Sequence, residues 1–213
     1  MTKHEDFVAH QFDDAEQQYL ASTLGMWIFL ATEVMFFGGL FTGYMVYRAE
    51  YSAAWAEGSK HLSFFWGTLN TAVLLLSSLT MALAVRSAQI GHRSQVLFLS
   101  LTILLGLAFL GVKGIEYHEH WVNHEFPGVS FQWEGPLKQN AQLFFSFYWS
   151  MTGLHALHMI VGVGLVAYLI ITGARRLYTP AYYSPVEVIG LYWHFVDIIW
   201  IWLYPLLYLV DRH

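Results

Sequence analysis

GLHALHMIVG (153–162) sets His155 and His158 three residues apart, WHFVDIIWIWLY (193–204) does the same for His194 and Asp197, and TEVMFFGGLF (32–41) carries Glu33. All five ionisable side chains lie in runs that are otherwise apolar and aromatic. Such a group near the centre of a bilayer helix costs roughly 2.5–3.5 kcal/mol on insertion scales, so it needs a partner, a packed interior or a job. Three chemistries fit these residue types. Paired histidines on facing helices can be axial ligands of a haem. Histidines with carboxylates can hold metal ions, as in helical di-iron bundles. Either set can also simply hydrogen-bond between helices. Residues three apart share a helix face, so each pair can act together.

The elements that position these groups follow from composition. Of 213 residues, 56% are hydrophobic and 18% aromatic, with 12% charged, against about 25% charged in soluble domains. Five runs are long and apolar enough to cross a bilayer, at roughly 20–47, 63–86, 94–117, 141–173 and 187–209. Residues 1–19 hold five acidic side chains and a single lysine, the reverse of a signal peptide's basic start. They are expected to be a polar N-terminal tail, with 20–213 as one transmembrane domain. Residues 118–140 form the long loop, and Lys60 and His61 fall in a short solvated one. Cysteine is absent, which excludes disulfides and thiolate metal sites. A net charge of -5 argues against a nucleic-acid partner.

Arg86, Arg93, Arg175 and Arg176 lie in two very short turns on one side. The positive-inside rule therefore places the N-terminus inside and the C-terminus outside. At 1.5 Å per residue, Glu33 and His158 lie roughly 20 and 22 Å from the inner ends of their helices, Asp197 near 15 Å and His194 near 10 Å. Glu33 and His158 can share a level. A gap of about 12 Å between His158 and His194 is awkward for one porphyrin. Glu116, His118, Glu119, His120 and His124 gather at one membrane edge, where metal binding competes with a solvated polar rim. Trp121, Trp133 and Trp193 read as interfacial anchors. Gly153, Gly162 and Gly164 suit close helix packing. Interhelical hydrogen bonding is the simplest reading of the five membrane groups, and the haem and metal readings stay open on these residues alone.

In combination and in order, GLHALHMIVG, YWHFVDIIWIWLYPLLYLV (192–210), TEVMFFGGLF and FLGVKGIEYHE (109–119) closely resemble subunit III of haem–copper oxidases of the cytochrome c oxidase type. The resemblance covers nearly the whole chain after residue 20. It implies a subunit that binds no haem, copper or other metal itself. Haem and copper then belong to partner subunits. It also implies direct packing against subunit I, with subunit II and cytochrome c in the same complex, support of proton uptake, and structural phospholipids in a cleft between helices. Glu33 matches the family's carbodiimide-reactive carboxylate. Arg175 or Arg176 matches a basic residue that contacts lipid phosphate, and Glu187 stands where the family often has a glutamate. The longer family form has seven helices, and this chain resembles a five-helix short form without the first two.

The expectation is thus an all-α integral membrane protein with a bundle of five transmembrane helices in a bacterial cytoplasmic membrane. It would be a non-redox part of a proton-translocating oxidoreductase complex, open to membership of a respiratory supercomplex. Glu33, His155, His158, His194, Asp197 and Glu187 are its buried polar, proton-related group, and Arg175 and Arg176 its lipid-phosphate contacts. The alternatives are an accessory subunit of a quinol oxidase or nitric oxide reductase or, from another class, a membrane anchor that binds b-type haem.

Overall fold

The computed structural model describes residues 8–133, 137–174, 178–180 and 182–211. Among them are six helices: α1 (Ala15–Glu50), α2 (Ser52–His61), α3 (Phe64–Gln89), α4 (Ser94–Val122), α5 (Lys138–Ala174) and α6 (Ser184–Tyr208). All but α2 are long and apolar enough to cross a membrane. The predicted spans are all present, and each is longer than its apolar run. α1 starts inside the expected tail because Asp14 caps it, accepting a 2.7 Å hydrogen bond from the Gln17 amide. Such a cap satisfies a helix-end donor and is worth about 1 kcal/mol. α1 and α5 contain 36 and 37 residues, about 54 and 55 Å at 1.5 Å each. Both exceed a hydrocarbon core of about 30 Å. They therefore tilt or extend past it.

The bundle is built around α6, the most enclosed span. α3 runs antiparallel to it, joined by Thr68–Tyr204 (2.7 Å), Trp200–Thr71 (3.1 Å) and Trp193–Ser77 (3.1 Å). α1 runs parallel to α6 at the periphery, through the ring contacts Phe29–Tyr192 and Phe37–Phe195. Near the far end, the Tyr44 hydroxyl donates to the carbonyl of Leu206. That carbonyl belongs to the last turn of α6, where no helical donor remains. Trp193 is not an interfacial anchor. Its indole is buried between α4 and α5, where glycine lets the backbones approach. A Cβ at Gly106 would fall 2.8 Å from the indole, and one at Gly162 3.0 Å. Gly164 has nothing within 4 Å of such a Cβ, so it serves no close approach.

Residues 52–61 are a helix rather than a loop. The sequence SAAWAEGSKH is too short and too polar to read as a span, but it buries Ala54, Trp55, Gly58 and Ser59. α2 lies on α5, and a Cβ at Gly58 would meet the Phe144 ring at 2.5 Å. α4 likewise runs to Val122 and takes up the start of the expected 118–140 loop.

Candidate functional site

Glu33 of α1 and His158 of α5 meet, with Oε2 3.2 Å from Nε2. His158 Nδ1 lies 2.8 Å from the Leu154 carbonyl, which can only accept, so Nδ1 carries a proton. A single further proton is then shared between His158 Nε2 and Glu33. Either imidazolium faces carboxylate, or neutral imidazole accepts from a carboxylic acid. Both side chains are partly exposed, at 17% and 19%. They open on a cleft of about 430 Å³ lined by Met26, Phe29, Leu157, Val161, Leu165 and Tyr192. The Tyr192 hydroxyl donates to the His158 carbonyl at 2.9 Å and fixes α6 beside the pair.

The other expected site residues do not join this pair. His155 is buried against the rings of Phe109 and Trp200, with neither ring nitrogen hydrogen-bonded. Although three residues from His158, it faces α4 and α6 while His158 faces α1. His194 does not pair with Asp197, because its Nδ1 is 2.8 Å from Ser78 Oγ on α3. Asp197 is buried beside Ser78, the serine that His194 uses, with neither carboxylate oxygen in ordinary hydrogen-bond geometry. Glu187 stands at the start of α6, hydrogen-bonded to Tyr19 of α1, with its Oε2 buried and unbonded. Arg175 and Arg176 lie outside the described residues.

A second polar cluster lies where a solvated rim was expected. Lys113, Glu116 and His120 are buried on one face of α4. Lys113 Nζ donates to Glu116 Oε2 (3.1 Å), Tyr148 Oη (2.9 Å) and Tyr208 Oη (2.6 Å). The two tyrosines in turn donate to Glu116 Oε1, at 2.9 and 2.6 Å. Every Lys113 donor is therefore used, and α4, α5 and α6 meet at one ion pair. At its outer end His120 Nδ1 bonds Glu125 Oε2, and Glu125 Oε1 is 2.8 Å from His61 Nδ1 on α2. Burial alone would raise the Glu125 carboxyl, but hydrogen bonds from His120 and His61, with their charges, hold it down to about 2. His118 and Glu119 remain exposed. The signal that identifies this face was the spacing 113, 116, 120, which keeps to one side of a helix. Among the described residues, no three His, Cys, Asp or Glu side chains gather as a metal-binding group.

Residues 10–211 match the family model described as cytochrome c oxidase subunit III. The chain is 34% identical over 192 residues to cytochrome c oxidase subunit 3 of Corynebacterium diphtheriae, covering 89% of this chain and 88% of that protein. It is 30% identical over 204 residues to the cytochrome bo(3) ubiquinol oxidase subunit 3 of Pseudomonas aeruginosa, covering 95% and 91%. It is 32% identical over 191 residues to cytochrome c oxidase subunit 3 of Gadus morhua, covering 86% of this chain and 67% of that longer protein. Five spans, a match across almost their whole extent and relatives of both donor types agree. This chain belongs to the cytochrome c oxidase subunit III family and is a multi-pass membrane subunit of a haem–copper oxidase of the cytochrome c or quinol type.

Proposed function

We propose that this chain flanks catalytic subunit I of a proton-pumping terminal oxidase that passes electrons from cytochrome c through subunit II to oxygen, and that it holds no redox centre itself. The observation that carries this reading is how its membrane histidines are spent. His158 is committed to Leu154 and Glu33, and His194 to Ser78. His155 is closed in by aromatic rings. Haem and copper then sit in the partner subunits, and this chain supplies a packed helical wall on the flank of subunit I. Within the wall, the shared proton of Glu33 and His158 gives a group able to support proton uptake.

The cleft beside that pair suits an acyl chain of a structural phospholipid, since nearly all its lining is apolar. Arg175 and Arg176 would hold a lipid phosphate. The arginine turns support an N-terminus in the cytoplasm of a bacterium, with the bundle in its cytoplasmic membrane. A quinol oxidase is the second reading, favoured by the 30% identity to the bo(3) subunit.

Purification of the tagged chain from its native membrane tests the reading. Subunits I and II should co-purify, and the complex should oxidise ferrocytochrome c. Oxidation of quinol alone would move the assignment to the second reading. A haem spectrum travelling with the isolated chain would overturn the absence of a redox centre.

A further inference from the structure

A second cleft, of about 510 Å³, opens where α1 and α6 end, and its volume is in the range of small-molecule sites. Arg48, in the last turn of α1, and Asp211, just beyond α6, both border it. Among the described residues neither side chain belongs to an ion pair. Ser52, the first residue of α2, adds a hydroxyl, and the short side chains of Ala49, Ala53 and Ala56 leave room between α1 and α2. The cleft thus presents one cation, one anion and a small polar group.

Its level is that of lipid headgroups. Tyr44 reaches the carbonyl of Leu206, and Arg48 stands one turn further along, about 6 Å. Tyr47 and Tyr51 stack beside it, 6.4 Å between ring centroids, as aromatic residues do where a bilayer meets water. Towards the membrane the surface is apolar. Among the described residues α1 and α3 each pack on α6 but not on one another. α6 is therefore the floor of a trough, where Ile198, Ile201, Trp202 and Leu209 are exposed. On α1, Val34, Gly38, Met45 and Ala49 share one face by helical spacing, and Met45 and Ala49 carry that face into the cleft. This is a different flank of α1 from the one with Met26, Phe29 and Glu33. It is also at the other end of α6 from the turn that follows α5.

We propose that this cleft binds a zwitterionic phospholipid with a primary-amine head: the phosphate meets Arg48 and Ser52, the ammonium meets Asp211, and an acyl chain lies in the trough on α6. Each headgroup charge then has an opposite partner, and both contacts are charge-assisted hydrogen bonds. An anionic head without an ammonium uses Arg48 but leaves Asp211 facing a like charge. A quaternary ammonium has no N–H to give to Asp211. The combination selects phosphoethanolamine over glycerol and choline heads.

The test is lipid retention by the intact purified oxidase. The complex is washed in detergent, offered equal amounts of phosphatidylethanolamine and phosphatidylglycerol, and its bound lipids are counted by native mass spectrometry. Lipids held elsewhere on the complex are common to all variants and cancel. The parent should retain one phosphatidylethanolamine that Arg48→Gln binds about tenfold or more weakly, and Arg48→Lys should keep it. Asp211→Asn should still hold a phospholipid but lose the preference for the ethanolamine head. Ala53→Leu, which narrows the cleft and leaves both charges in place, should expel the lipid with subunit content unchanged. If Arg48→Gln and Ala53→Leu keep the parental lipid complement, the cleft is no lipid site. If Asp211→Asn keeps the parental preference, the headgroup assignment fails.

Discussion

Lys113 and Glu116 form a buried ion pair on α4, 3.1 Å apart, closed off by the hydroxyls of Tyr148 and Tyr208. Breaking such a pair from one side leaves an unpaired charge where solvent does not reach, at a cost of about 3–5 kcal/mol. Lys113→Met should therefore destabilise the subunit by that amount. The double variant Lys113→Met/Glu116→Gln should recover much of the loss. Thermal melting of the subunit within the purified complex reads both. Equal loss in the single and double variants would show that packing volume, and not charge, matters here.

Glu33→Gln should keep assembly intact and lower turnover only mildly. The glutamine amide can still donate to His158 Nε2, and interhelical hydrogen bonds in membranes average about 0.6 kcal/mol. Oxygen-uptake rates and subunit content check this. Loss of the subunit from the complex would mean that the charge of Glu33 is required.

Asp197→Ala is expected to be better tolerated than Ser78→Ala. His194 depends on Ser78 and not on Asp197, so only the serine change leaves it unpaired. An unpaired buried polar group costs about 1–3 kcal/mol. Removing the Asp197 carboxylate, which lies beside the same serine outside ordinary hydrogen-bond geometry, leaves the Ser78–His194 bond in place. Melting temperatures of the two variants, measured side by side, decide the order.

Gly106→Ala should cost about 1–3 kcal/mol, the usual range for overpacking. The new methyl would lie 2.8 Å from the Trp193 indole, and the ring cannot retreat because Gly162 backs it on α5. Trp193→Phe should relieve most of the penalty in the double variant, and a double-mutant cycle on melting temperature measures how much.

The Glu125 strap sets a pH dependence. Its carboxyl is held at about 2 in the folded protein, against an ordinary 4.5. A depressed carboxyl contributes stability that is complete above the ordinary value and is lost as pH falls through the folded one. The melting-temperature difference between the parent and Glu125→Gln should thus be full above pH 4.5 and shrink towards pH 2. A constant difference across that window would remove Glu125 ionisation from the account.

Five spans were legible because a bilayer demands about 20 apolar residues in a row, and five runs supply them. The Glu33–His158 level was legible for a similar reason, since helical rise converts residue number into depth. Partner choice was not. His194 and Asp197 share a face, yet what lies opposite that face is α3, whose Ser78 sequence order does not bring near. Trp193 looked interfacial because tryptophan is enriched there, and the two glycines that enclose it come from helices distant in sequence. Glu116 and His120 were read as rim because charges near a span's end usually meet water. α2 escaped notice because ten half-polar residues carry no spanning signal.

The central position of α6 bears on how the protein is made. The ribosome delivers this helix after the other four spans have entered the lipid. Until it arrives, Thr71, Ser77 and Ser78 of α3 lack the Trp200, Trp193 and His194 groups they will bind. The pocket for the Trp193 ring between α4 and α5 is also unfilled. The four spans before it, with α2, therefore wait as an open half-shell, exposed to capture by an insertion chaperone or to degradation. A truncation before residue 184 should leave that half-shell permanently vulnerable.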